Sequence, residues 1–200
     1  MPKRVDHQQR RREIAEALFR IAAGRGLQGV TLRAVAAEAG ISMNLVQYYF
    51  PAKEDMLRFG WQRIVELSAE RAAGGITRAL ESGDERAVVR AYLTGVLPSD
   101  ERGRMLCAVQ IAYFAVDVTR GEQDQEPLLP HLVRAVAEQI RTAQALHRAS
   151  PDVDAQHEAD ALATMAAGLV SGVMVGAYTP EQAERLVDYR LDRLFPSRPH

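Results

Sequence analysis

Between residues 43 and 53 the chain sets out side chains suited to gripping a nucleic acid: the amides of Asn44 and Gln47, the phenols of Tyr48 and Tyr49, and the ammonium of Lys53. Amides and phenols hydrogen-bond to base edges and to phosphate oxygens alike, and a lysine meets a phosphate as a point charge. To act together these groups must share a face. At about 100° per residue on a helix, Asn44, Gln47 and Tyr48 point away from Val46 and Phe50, which stand one turn apart and can face a core.

The flanking residues supply the elements that would hold that face. Thr31 is suited to cap a helix whose apolar positions Leu32, Val35, Ala36 and Ala39 fall at i, i+3, i+4 and i+7. Gly40 ends it by tolerating a left-handed backbone, and Ile41 plugs the corner. Ser42 caps the short reading helix and Pro51 halts it. Lys53 opens the next helix, where backbone N–H groups already favour an anion. This is the layout of a helix-turn-helix, a shape that also occurs in all-α proteins that bind no DNA. Charge strengthens the DNA reading. From the start to Arg25 the chain carries Lys3, Arg4, Arg10, Arg11, Arg12, Arg20 and Arg25 against Asp6, Glu13 and Glu16. Those seven cations and three anions leave +4, in a chain of formal charge −1. A basic end on a near-neutral protein is the footprint of phosphate contact.

Five blocks, in this order and spacing, carry a family resemblance: the first helix around Glu13 to Ala23, Thr31 to Ala36, Ala39 to Ser42, Tyr48 to Phe50, and Lys53 to Leu57. Over roughly a quarter of the chain they resemble the TetR family of bacterial transcriptional regulators. The resemblance implies that Thr31 caps a helix and touches phosphate, and that Arg33 reaches a base or a phosphate. It implies further that Met43, Asn44 and Leu45 face bases, while Gln47, Tyr48, Tyr49 and Lys53 grip the backbone. Ser42, the cap, completes the expected DNA-binding set. Two positions depart from the pattern. Gln47 stands where the family usually has tyrosine, which implies either a weaker phosphate contact or an amide that reads adenine. Met43 donates no hydrogen bond and is left to brush a thymine methyl.

Two hundred residues with 47% hydrophobic content suffice for a sizeable core, whereas the first ~50 alone would be marginal. They are expected to lean on the helix from Lys53 to Ala73, which gives a signal from the body a route to the DNA. The remainder reads as helices with short breaks. Gly74-Gly75 marks a kink or an end, and Ser82-Gly83-Asp84 precedes a helix from Glu85 to Val96. Helices are expected from Arg104 to Thr119, Leu128 to Ala149, Asp154 to Ala177 and Glu181 to Leu194, with a polar connection over residues 121 to 127. No strand alternation or repeat is evident. The expected architecture is all-α: residues 1–52 form a three-helix helix-turn-helix DNA-binding domain, and residues 53–200 a larger helical effector-binding and dimerisation domain.

The long helices from Leu128 and from Asp154 carry more apolar surface than one chain is expected to cover. Leu132, Val136 and Ile140 form a stripe on one, and Gly168, Gly172 and Gly176 recur every four residues on the other. Each glycine costs a helix up to about 1 kcal/mol relative to alanine, so close approach of a second helix is the expected return. A homodimer with a four-helix interface follows, and the family resemblance implies the same. Two reading heads suit a palindromic operator with half-sites about 34 Å apart. The charge-free run from Ala161 to Pro180 is about the length of a membrane span, but it is rich in Ala, Gly, Ser, Thr and Val and has no basic flank. No membrane association is expected.

A pocket between helices is lined by apolar and aromatic side chains with a few polar groups. Trp61, Tyr92, Gln110, Tyr113, Phe114 and Asp117 are the candidates to contact a small-molecule effector, each with core packing as its alternative. Trp61 shares its helix with Lys53. The five histidines supply no catalytic constellation. His147 and His157, flanking Asp152 and Asp154, match no metal-ligand spacing. Neither enzymatic activity nor a cofactor or metal is expected. The one cysteine, Cys107, lies in an apolar run and reads as a small buried hydrophobe. With no apolar segment behind the basic N-terminus, the expected location is the cytoplasm. The sequence thus describes a ligand-responsive dimeric repressor; an architectural or partner-regulated DNA-binding protein is the alternative.

Overall fold

The computed structural model describes residues 2–120 and 128–196; of residues 2–6 and 120 it describes the backbone only. The expected polar connection at 121–127 and the side chains of Lys3, Arg4 and Asp6 therefore lie outside the described residues. Nine α-helices run through the described chain: α1 Pro2–Arg25, α2 Leu32–Ala39, α3 Met43–Tyr49, α4 Lys53–Ser82, α5 Glu85–Gly95, α6 Glu101–Arg120, α7 Leu129–Ala145, α8 Ala155–Met174 and α9 Pro180–Leu194. A 3-10 turn, Leu27–Gly29, joins α1 to the next helix.

The helices form two compact units, Met1–Leu67 with Glu101–Glu126, and Ser68–Asp100 with Pro127–His200. The first has its own core. Ile14, Leu18 and Phe19 of α1, Val35 of α2, Val46 of α3, Phe50, Met56 and Ile64 around α4, and Leu106 and Val109 of α6 are all buried. The N-terminal helices thus share a core with α6 as well as with the start of α4, more support than the sequence suggested. Arg102 of α6 fastens this arrangement with a two-pronged pair to Glu16 of α1, 2.6 and 2.7 Å. That pair holds the arginine firmly charged against the opposing cost of its partial burial.

In the second unit Val89 and Leu93 of α5, Val136 and Ile140 of α7, Leu162 and Ala166 of α8, and Val187 and Leu191 of α9 pack into one core. At its edge Arg90 reaches Asp188 at 2.8 Å and Glu184 at 2.9 Å, tying α5 to α9. Arg190 of α9 meets the buried Glu158 of α8 at 2.7 Å.

Several expectations are corrected. The first helix begins near the N-terminus, at Pro2, because its polar opening turns form helix without an apolar stripe to announce it. Gly74 and Gly75 do not end α4. Both keep helical backbone, and the stop is Gly83, whose φ of 63° is left-handed. Helix α7 ends at Ala145, with His147 in the left-handed region at φ 55°. Arg148 N–H bonds Ala143 carbonyl at 2.8 Å and His147 N–H bonds Gln144 carbonyl at 3.0 Å, a Schellman closure. Gly176 is likewise the stop of α8 (φ 78°), closed by Ala177 N–H to Gly172 carbonyl at 2.8 Å.

Three of the expected dimer-interface residues are therefore accounted for within one chain. Val136 and Ile140 are fully covered by the unit's own core. Gly172 lies under the ring of Tyr178, where an added Cβ would come within 2.6 Å of Cδ2. Gly168 is open, with nothing within 4 Å of such a Cβ, and Leu132 is half-buried against the core. No described helix is long and apolar enough to cross a membrane.

Candidate nucleic-acid interface

Each joint of the reading motif is closed by a short local bond. Thr31 Oγ1 accepts Ala34 N–H at 3.0 Å and Ser42 Oγ accepts Leu45 N–H at 3.2 Å, so both helices start on side-chain caps. Each such cap is worth about 1 kcal/mol. Between them Gly40 adopts φ 66°, and Ile41 N–H returns to Ala36 carbonyl at 3.0 Å. Val46 and Phe50 anchor α3 from beneath with no exposed surface.

That anchoring sets the outward face. Thr31, Arg33, Ser42, Met43, Asn44, Gln47 and Tyr48 are exposed, Tyr48 by 71%, while Leu45 and Tyr49 are half-buried. Lys53 is the first residue of α4 and half-buried. Glu54 and Asp55 follow it in the same turn, and Arg58 draws Asp55 at 3.3 Å. The ten residues expected to meet DNA thus fall on α2, α3 and the first turn of α4 and the caps before them. An exposed helix of amides and phenols beside a half-buried lysine is able to bond base edges and phosphates together.

Two further residues bear on this face. The Arg11 guanidinium lies over the rings of Phe50 and Phe59, 4.8 and 4.2 Å to their centroids, bracing the exit from α3. His7 stands against Tyr49 with ring centroids 4.6 Å apart, and Tyr48 and Tyr49 meet edge to face at 5.1 Å. The sequence marks Arg11 only as one of the cations of the basic end, and it does not single out His7. Their spacing of one turn would have put them on one face, had the first helix been extended to the N-terminus.

The effector candidates divide between the units. Trp61, Gln110, Tyr113, Phe114 and Asp117 belong to the first and Tyr92 to the second, where it packs against that unit's core. Tyr113 is buried, its ring 5.3 Å from that of Trp61, and its hydroxyl donates to the Leu57 carbonyl at 2.7 Å. Burial pushes its phenol well above the usual value. Gln110 and Asp117 are half-buried on the same stripe of α6, whereas Phe114 turns outward and is 68% exposed. His157 caps no metal group; its Nδ1 lies 3.1 Å from Asp154, and no metal-holding cluster occurs among the described residues.

Comparison with known proteins is consistent along the chain. Residues 14–58 match the model of bacterial regulatory proteins of the tetR family, and residues 85–196 that of the BetI-type transcriptional repressor C-terminal region. The chain is 38% identical over 115 residues to the HTH-type transcriptional regulator PksA of Bacillus subtilis, covering 58% of this chain and 55% of that protein. It is 26% identical over 192 residues to the regulator BetI of Stenotrophomonas maltophilia, covering 94% of each. In fold it is similar to a transcriptional regulator from Saccharomonospora viridis, described in complex with choline, with a TM-score of 0.81 at 22% identity over 96% of this chain and all of that one. A TetR-family regulator from Rhodococcus gives a TM-score of 0.76 at 22% identity, covering 93% and 98%. The capped helix-turn-helix and the helical body behind it therefore have one reading: the chain belongs to the TetR family of bacterial transcriptional regulators, with a C-terminal region of the BetI repressor type.

Proposed function

We propose that the protein is a dimeric repressor that binds a palindromic operator and is released by a small organic effector. In this reading residues 1–52 are the DNA-binding domain and residues 53–200 bind the effector and dimerise. The observation that carries it is the exposed face of α3, where Asn44, Gln47 and Tyr48 stand out over the buried Val46 and Phe50 beside Lys53. Arg33, Met43, Asn44 and Leu45 address bases, and Thr31, Ser42, Gln47, Tyr48, Tyr49 and Lys53 hold the sugar-phosphate backbone.

The dimer seam is assigned to α8 and α9 rather than to α7. Met165, Gly168, Leu169, Tyr178, Leu186 and Tyr189, together with Arg190, line a shallow and largely apolar groove there, and the open Gly168 leaves room for a helix of a second copy. Support for an effector comes from the similar Saccharomonospora viridis protein, which is described with choline. Trp61, Gln110 and Asp117 are the residues assigned to effector contact, with Tyr113 as their packed backing. The effector acts by its differential affinity for two states, and a coupling of about 1 to 3 kcal/mol changes operator affinity some 5- to 150-fold.

The test uses a duplex enriched from a random pool by the wild-type protein. Lys53→Ala is expected to weaken binding to all duplexes and to lower the salt slope by about one unit per protomer, as loss of a phosphate contact requires. Asn44→Ala is expected instead to relax base preference within each half-site by about 1 to 3 kcal/mol. Unchanged binding by both variants overturns the assignment.

A further inference from the structure

Helix α1 carries a histidine into the phenol pair of α3. The His7 ring is tilted by 55° against Tyr49 at 4.6 Å and stands edge-on to Tyr48 at 6.3 Å, and the two phenols meet each other at 88°. The three rings form one cluster at the C-terminal end of the reading helix. Tyr48 is the most exposed of the aromatic residues on that face. Ring pairs at such distances and tilts hold one another's rotamers, because each positive ring edge is drawn to a negative ring face.

We propose that His7 is a positioning residue of the DNA-reading face, which fixes the Tyr48–Tyr49 pair and, when protonated, adds a cation to it. The inference rests on the reading of this face as a DNA contact. The groups packed against His7 from α3 are the two phenols. Along α1, Lys3, Arg4, Arg10 and Arg11 stand three or four positions away. Arg10 is engaged by Glu13 at 2.6 Å, and Arg11 by the Phe50 and Phe59 rings. No carboxylate stands three or four positions from His7. A phosphate laid against Tyr48 and Tyr49 favours the charged imidazolium beside them, because an opposite charge at close range stabilises the protonated form. Operator binding is thereby coupled to uptake of a proton on His7.

The experiment measures binding of the full-length protein to a wild-type-enriched duplex by fluorescence anisotropy, between about pH 8 and about pH 6, the range in which histidine changes charge. Wild type is expected to bind about tenfold tighter at the acid end, with a salt slope steeper by about one unit per protomer. His7→Phe keeps a ring against the phenols. It is expected to match wild type at about pH 8 and to lose the acid gain. His7→Ala removes ring and charge, and is expected to bind about tenfold more weakly than wild type at the alkaline end and about a hundredfold more weakly at the acid end. Superimposable pH profiles for wild type and His7→Phe overturn the proton coupling, and wild-type affinity for His7→Ala at the alkaline end overturns the positioning role. If wild type enriches no duplex at all, it is the DNA-binding reading that fails.

Discussion

Gly60 shows how tightly a single residue is held behind the reading face. On α4, two turns after Lys53, it lies under Tyr113, and an added Cβ would stand 2.7 Å from the phenol oxygen and 3.2 Å from Leu18 Cδ1. Tyr113 is 4% exposed and its hydroxyl is spent on the Leu57 carbonyl, so it cannot swing aside freely. Gly60→Ala gains up to about 1 kcal/mol of helix propensity, but the overpacking outweighs it at about 1 to 3 kcal/mol. Chemical denaturation should find the variant less stable, and adding Tyr113→Phe should recover much of the loss by removing the crowded oxygen. A Gly60→Ala protein as stable as wild type would show that this contact is looser than described. None of this was legible in the sequence, because a glycine in a helical run carries no mark of the ring that crosses it.

At the level of elements, helix starts and stops follow side chains that the sequence displays openly. Thr31, Ser42 and Asp154 all cap, and Gly40 and Gly83 both turn left-handed. Asp154 makes a testable case. The N–H of His157 bonds its carboxylate at 2.8 Å, and this bond first, then the charge of His157, hold it below the usual aspartate range. A carboxyl lowered on folding stabilises above its unfolded value, and that contribution fades as pH falls through the folded value. Thermal melts from about pH 5 to about pH 3 should therefore show wild type losing more stability than Asp154→Asn, which still caps but does not titrate. Parallel curves would rule this out. The misread boundaries share one cause. Residue type alone suggests a break at Gly74-Gly75 and a helix running on to Ala149, whereas the backbone stops are set by left-handed φ at Gly83 and at His147.

Across the whole molecule, family and helical class could be read from one end of the chain, while its division into units could not. Nothing in the spacing of α6 says that Leu106 and Val109 join the core of α1 to α3, since such long-range contacts depend on topology rather than on local pattern. The same limit applies to the expected dimer stripe. An apolar face on α7 looks identical whether α5 and α8 of its own chain or a second copy covers it, and here Val136 and Ile140 are covered from within. With the seam on α8 and α9, Leu186→Glu puts a charge into the groove at a side chain that is 39% exposed and so tolerates change in the folded chain. Sedimentation should then report a single 22.1 kDa chain where wild type sediments as a pair; a Leu186→Glu protein that remains paired would move the seam elsewhere. The central claim, that this protein reads DNA as a symmetric pair through α3, is tested most directly by sequencing the duplexes that the wild-type protein retains from a random pool. The account predicts an inverted repeat with half-sites about 34 Å apart, or a multiple of that spacing, whose base preference is loosened by Asn44→Ala. Retention of no preferred sequence, or of a repeat indifferent to Asn44, would contradict it.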